Sequence, residues 1–411
     1  MEPQPRQHLA GIFSRLKGTR TALVLIFCIM LMDVVGISIL YPVSAYIVRR
    51  YSSQALMVTL LSVVYSAAQF LAAPVLGKLS DRLGRRPVLL VSLFGSALGY
   101  LVFGIGGALW ILFLSRLIDG ITGGNMSTAS AYIADISEPA SLAKNLALIG
   151  MAWGIGLIIG PALGGILGQF DLRAPAFFAA GLSLLNMVLG YFFLPESLPK
   201  ERRTTGRMHA KDFNALASIR EMGRLPGLAG LLVVLSLYNF GFSGMNSTEN
   251  IFLIRRFTAQ PWQLGLLTML VGVTVALVQF GLVQRLVSRF GEKALAVACL
   301  ALQALGALAT CLNPVYLLVY PIVILRSAVG VFVFPTLGAL TTRRVSAGEL
   351  GVLMGVTTAI GSLMSIFSPI LAGTLYDAWA PAAPYWLTAL LFLSAAFLLK
   401  LQSSPEIAPA N

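Results

Sequence analysis

The chain has 411 residues, of which 57 % are hydrophobic and 11 % charged, and its mean hydropathy is +0.84. A soluble domain carries roughly a quarter charged residues, so the composition excludes a soluble fold and reads as an all-α membrane protein. The net charge of +13 does not point to nucleic acid, because the bases cluster in the short segments between apolar runs.

Apolar stretches near the roughly 20 residues needed to cross a bilayer are predicted at 21–48, 56–77, 87–106, 109–133, 145–169, 174–194, 227–252, 262–284, 293–312, 315–340, 350–374 and 384–400. Bases before the first span, at 78–86, at 200–224, at 285–293 and at 343–344 outnumber those in the alternate loops. By the positive-inside rule both termini are expected in the cytoplasm. The segmentation is a cytoplasmic 1–20, a six-helix half 21–194, a polar cytoplasmic linker 195–226, a second six-helix half 227–400 and a tail 401–411. Part of the linker is expected to form an amphipathic surface helix. Cys28, Cys299 and Cys311 lie in apolar spans, without disulfide or metal spacing, and are expected to be small buried residues.

Along the first span, Asp33 lies mid-membrane in LIFCIMLMDVVGISILYP. A charge at that depth costs roughly 2.5–3.5 kcal/mol and usually faces a partner or a water-filled cavity. Asp33 reads either as a carboxylate that loads and releases a proton or as a structural acid capping a neighbour. The hairpin after the second span, GKLSDRLGRR, packs Gly77, Asp81, Arg82, Gly84, Arg85 and Arg86 into ten residues. Its glycines permit a tight turn, and Asp81 stands four residues before Arg85, at helical pairing distance. Such a charged turn reads as a latch at the membrane surface. In the fourth span Arg116 and Asp119 share one helical face, as a structural pair or as part of proton or substrate traffic. In the fifth, GIGLIIGPALGG aligns Gly156, Gly160, Pro161, Gly164 and Gly165 into a small-residue seam for close helix approach.

In the second half, Glu249 lies in the outer part of the seventh span and Arg326 within the tenth. Gln69, Asn125, Asn239, Asn246, Gln279 and Gln303 are neutral polar residues at membrane depth. Each either shapes a substrate cavity, with Arg326, or makes an interhelical hydrogen bond. The halves echo one another at offsets of about 207 to 210 residues: Arg82 with Arg289, Arg116 with Arg326, Gly120 with Gly330, and Pro161 with Pro369. Parallel repeats with a midplane site are a transporter architecture. Around 285–293 the counterpart of the first hairpin has Ser288 where the acid would be, and is expected to be mainly a topological anchor. No nucleophile–base set, metal cluster or nucleotide loop is present in the sequence, so an enzyme and a resident cofactor are not expected.

Together these motifs resemble the major facilitator superfamily, and within it the twelve-helix drug/proton antiporters. Segments such as QFLAAPVLGKLSDRLGRRPVLLVSL, AYIADI and FFLPES are similar to the tetracycline/proton antiporters. The resemblance implies two pseudo-symmetric six-helix halves. It also implies an inner-face latch of Asp81, Arg85 and Asp135, a substrate-facing Gln69, an exporter-type seam in the fifth helix, and a proton-transfer role around Arg116. By ungapped matching, that subfamily's third-helix acid falls on Gly99, its ninth-helix acid on Gln303 and its eighth-helix histidine on Val275, while its first-helix acid is Asp33. Asp119 and Glu249 are acids of this chain's own. The expectation is a monomeric proton-coupled exporter of small amphipathic compounds in a bacterial inner membrane, with protons as coupling ion; the alternative is a facilitator or importer of a metabolite or lipid on the same fold.

Overall fold

A computed structural model describes residues 5–204, 225, 227–346 and 349–402. The expected surface helix of the linker and nearly all of the tail lie outside the described residues. Backbone amides and carbonyls in a bilayer have no water to pair with, so the spanning segments close their hydrogen bonds within helices. Among the described residues eleven helical stretches are long and apolar enough to cross a membrane, one of them Tyr316–Thr342, which a turn at 331–332 divides in two. The remaining expected span, 109–133, is covered by two shorter helices in series.

In chain order the helices are α1 (Pro5–Ser38), α2 (Tyr41–Arg49), α3 (Ala55–Leu83), α4 (Arg85–Ile105), α5 (Leu109–Thr122), α6 (Asn125–Ile136), α7 (Leu142–Phe170) and α8 (Ala174–Phe193). They continue with α9 (Leu228–Phe257), α10 (Pro261–Gly281), α11 (Val283–Phe290), α12 (Glu292–Leu312), α13 (Tyr316–Gly330), α14 (Val333–Thr342), α15 (Leu350–Ala378) and α16 (Ala383–Leu401). The chain forms two compact units, residues 1–43 with 68–208, and residues 44–67 with 209–411.

In the first unit α1 packs on α7 and α8, and α4 packs on α5 and α8. In the second, α9 packs on α15 and α16, and α12 packs on α13 and α16. The same partners recur at the repeat offset, so the weak echo in sequence corresponds to a repeated packing scheme. Each unit has its own apolar core: Ile26, Met30, Leu93, Tyr132 and Ala152 in one, Val234, Leu235, Leu300, Leu337 and Phe392 in the other. Large apolar side chains such as Leu71, Trp110, Phe192, Leu317 and Phe397 point outward, as a lipid-facing surface requires. Of the cysteines, Cys299 and Cys311 are buried but Cys28 is exposed on α1. The expected burial fails there because Cys28 stands one turn after the exposed Val24, on the outward face of its helix.

The seam of α7 holds α1 at close range. A Cβ at Gly156 would stand 2.6 Å from Val34, one at Gly160 2.0 Å from Ser38, and one at Gly164 2.0 Å from the Ile39 carbonyl. Ser38 answers with a hydroxyl donated to the Gly156 carbonyl at 3.0 Å. Pro161 sits inside α7 without ending it. Within the second unit, Asp377 at the end of α15 accepts the amides of Ala55 and Leu56 at 2.9 and 2.8 Å, capping α3, and lies 3.6 Å from Arg255.

Candidate functional site: buried carboxylates and the charged hairpin

The first unit gathers its midplane polar residues around an interrupted helix. α5 ends at Thr122 and α6 begins at Asn125, leaving Gly123 and Gly124 between them. Gln69 donates its amide to the Gly123 carbonyl at 2.8 Å, satisfying an oxygen that the interruption frees. Gly124 allows Leu76 close, since a Cβ there would be 2.6 Å from Leu76 Cδ1. Asn125, on the first turn of α6, donates Nδ2 to Asp33 Oδ2 of α1 at 3.2 Å. Asp33 is buried and forms no ion pair among the described residues.

One turn before the interruption, Arg116 pairs with Asp119 at 3.1 Å, and Ser96 of α4 hydrogen-bonds the same carboxylate. The Arg116 guanidinium lies over the rings of Phe103 and Tyr100, at 4.8 and 5.5 Å from their centroids. A guanidinium on an aromatic face keeps favourable electrostatics where water is excluded. Gly99 faces this pair; a Cβ there would stand 3.0 Å from Asp119 Cβ. The position onto which the resemblance maps a third-helix acid is therefore taken up by the side chain of Asp119.

The second unit arranges its charges differently. Arg326 of α13 donates from Nη2 to both oxygens of Glu249 on α9, at 2.7 and 2.9 Å, and from Nη1 to Thr310 Oγ1 at 3.4 Å. Both charged side chains are nearly dry, 6 % and 12 % exposed, and Gly306 makes room for the Arg326 stem. Glu249, expected on the outer part of its span, is thus a buried partner rather than an interfacial residue. Gln303 is buried with its amide against Gly330. Asn239 bonds back to the Leu235 carbonyl at 2.8 Å, and Asn246 is exposed on α9. Gln279 lies apart from these, lining a cavity of about 260 Å³ with Gln284, Glu292 and Thr336. The six neutral residues do not form one cluster: Gln69 and Asn125 meet at the interruption, Gln303 lies beside the α13 glycine, and Gln279 lies near the start of α12.

The hairpin is organised on Arg85. Its guanidinium reaches Asp81 at 2.5 Å, Asp135 at 3.0 Å and Ser80 Oγ at 2.7 Å, while its backbone amide donates to Glu196 at 2.8 Å. Ser197 donates to Asp135 at 3.0 Å, and Arg203 lies 3.7 Å from Glu196. Gly84 has φ +108°, and a Cβ there would stand 2.3 Å from Glu196 Oε2; only glycine suits both the dihedral and the contact. Arg86 donates to the Tyr191 carbonyl and stacks over its ring. Arg82 is exposed, and a Cβ at Gly77 would meet open space. The three residues implied for the latch are together. Glu196 and Ser197 complete it, and sequence reasoning missed them; their only signal was the FFLPES segment.

The second hairpin, expected to be mainly a topological anchor, also carries an ion pair. Glu292 occupies the repeat position of Arg85 and Arg343 that of Asp135, and the two pair at 2.7 Å. The bridge is kept with its charges exchanged. Gly291, the counterpart of Gly84, also has positive φ, +77°.

A family model described as Major Facilitator Superfamily matches residues 25–255 and 231–411. The class C tetracycline resistance protein of Escherichia coli is 35 % identical over 88 % of this chain and 91 % of its own. Human major facilitator superfamily domain-containing protein 10 is 32 % identical, over 87 % of this chain and 81 % of its own. The crystal structure of that human protein, titled an organic anion transporter, superposes with a TM-score of 0.68 at 27 % identity, covering 93 % of this chain and 99 % of the other. A bacterial homologue of the human lysosomal transporter Spinster shares the fold, with a TM-score of 0.77 at 16 % identity over 94 % of this chain and 98 % of its own.

Proposed function

Because the chain belongs to the major facilitator superfamily and is a multi-pass membrane transporter rather than an enzyme, we propose that it is a proton-coupled exporter of small amphipathic organic compounds, working by alternating access. The observation that carries this reading is the environment of Asp33. Its hydrogen-bond partner is the neutral amide of Asn125, whereas Asp119 and Glu249 each hold an arginine. An acid in a salt bridge must break that bridge to take a proton. Asp33 changes charge without that penalty, so it is the coupling carboxylate and the two paired acids are supports. This narrows the set Asp33, Arg116, Asp119 and Glu249 to one carrier, Asp33, and three charges held in the Arg116–Asp119 and Arg326–Glu249 pairs.

A tenfold proton gradient contributes about 1.4 kcal/mol per proton, enough to concentrate a neutral substrate about tenfold for each proton exchanged. Tetracycline resistance proteins among the relatives support export, and the organic anion transporter title of another supports a broader substrate class. In this reading the protein is a monomer in a bacterial inner membrane with both termini cytoplasmic. Arg85, Asp81 and Asp135, with Glu196 and Ser197, tie the inner ends of α3, α4, α6 and α8 and act as the latch.

The deciding experiment is proton movement in everted membrane vesicles on addition of tetracycline and of ethidium. Wild type is expected to release the imposed proton gradient with at least one compound, and Asp33→Asn to release none. Asp33→Asn behaving as wild type would remove Asp33 as the coupling site. Accumulation of a compound in intact expressing cells, instead of depletion, would favour the importer.

A further inference from the structure

The interrupted span places a single amide against the proposed proton carrier. Asn125 was expected to shape the substrate cavity or to bond between helices, but it is only 2 % exposed, so no substrate reaches it in this conformation. Its Nδ2 donates to Asp33, while its Oδ1 is buried with no hydrogen-bond partner. A buried carbonyl oxygen without a donor is unfavourable, and this one belongs to a side chain already touching Asp33.

We propose that Asn125 is a positioning residue that reads the protonation state of Asp33. It donates from Nδ2 to the carboxylate and, after a half-turn of its amide, accepts at Oδ1 the hydroxyl proton of the carboxylic acid. The terminal amide torsion of asparagine is soft and roughly two-fold, so the exchange needs no backbone movement. An amide carries both a donor and an acceptor without changing charge, whereas an arginine only donates and an ionised carboxylate only accepts. The inference rests on the reading of Asp33 as the proton carrier and adds the group that makes both of its states tolerable in a dry site.

The surrounding structure holds Asn125 where this requires. An interrupted helix at membrane depth is tolerated only where protein satisfies the freed groups, and Gln69 does so at Gly123. Leu76 packs against Gly124, so the start of α6 is fixed from α3. Few other ionisable groups face Asp33. Asp119 of α5 acts on it through space and is itself paired with Arg116. Tyr100 of α4 lies against Gly36, one turn along α1. The only charged residue of α7 is Lys144, near its start, α8 offers only Tyr191, and α6 offers Tyr132 and Asp135 near its far end.

The test uses the full chain in lipid nanodiscs and the infrared band of protonated carboxyl groups, followed against pH. Subtracting spectra of Asp33→Asn isolates the Asp33 band without need of a substrate. The amide's bond to the charged carboxylate is stronger than its bond to the neutral acid, so losing the amide weakens the charged form more and the proton is held to higher pH. Asn125→Ala is expected to move the midpoint of that band upward by roughly one pH unit, whereas Asn125→Ser, which keeps a donor, remains closer to wild type. If Asn125→Ala fails to insert, Asn125→Leu, similar in shape without donor or acceptor, gives the same readout. A midpoint in these variants equal to wild type overturns the positioning role. A wild-type chain with no titrating Asp33 band overturns instead the proton-carrier reading beneath it.

Discussion

The two units hold their helices with the same positions and different chemistry. At the hairpins, Arg85 collects Asp81, Asp135 and Ser80, and its amide binds Glu196; at the equivalent place Glu292 meets Arg343. At mid-membrane, Arg116 takes its acid from its own helix and its remaining contacts from aromatic rings, whereas Arg326 takes Glu249 from another helix. The repeat keeps an arginine at 116 and 326 but not the helix its acid comes from, and it keeps the hairpin bridge with the charges exchanged. A salt bridge reversed in polarity has the same Coulomb energy, so either half of an ancestral duplication can exchange its signs once both partners change.

The comparison is broken most severely at the buried pairs. Arg326→Ala leaves the Glu249 charge buried and unpartnered, and about 3–5 kcal/mol of stability is expected to be lost. Thermal unfolding of the purified chain should show it as a lowered midpoint. Arg116→Ala is expected to cost less, because Ser96 continues to hydrogen-bond Asp119. Equal losses would show that the interhelical pair is no more demanding than the intrahelical one.

The hairpin glycines come next. Gly84→Ala adds about 1–3 kcal/mol of backbone strain and drives a Cβ into Glu196, while at Gly291 a Cβ meets open space and only the strain applies. Transport by Gly84→Ala should therefore fall well below that of Gly291→Ala at matched expression; a reversed order would mean that the Glu196 contact is dispensable. In the same assay Asp81→Asn is expected to impair transport with insertion intact, and normal transport would remove the gating role. The smallest effect is at the exchanged bridge, where Arg343 is 53 % exposed and the pair contributes under about 1 kcal/mol. Glu292→Arg alone should reduce transport, and Glu292→Arg with Arg343→Glu should restore it. Failure of the double reversal would make the bridge incidental.

Much of this was legible along the chain. Apolar run lengths located the spans, and the charged hairpin between two of them marked the Arg85 centre. The exchanged bridge was not legible, because a search for repeated residues looks for like charges at like positions. Glu196 and Ser197 were hidden because they lie more than a hundred residues from Arg85 on a segment that reads as an ordinary helix exit. The interruption falls on the glycine pair of the stretch TGGNMST in the fourth span, which a reading by spanning length carries through as one helix.

Sequence alone determined that this chain is a set of membrane-length apolar helices with a weak internal repeat, because hydrophobic length and the spacing of repeated residues act locally and need no knowledge of neighbours. The tertiary structure decided which of the membrane-depth acids is held by an arginine and which is not. Asp33, Asp119 and Glu249 look alike in an apolar run; they differ only in what the neighbouring helices present, an amide to the first and an arginine to the other two. Burial makes every one of them costly, and the partner that folding supplies determines whether that cost is offset by an ion pair or by a neutral amide.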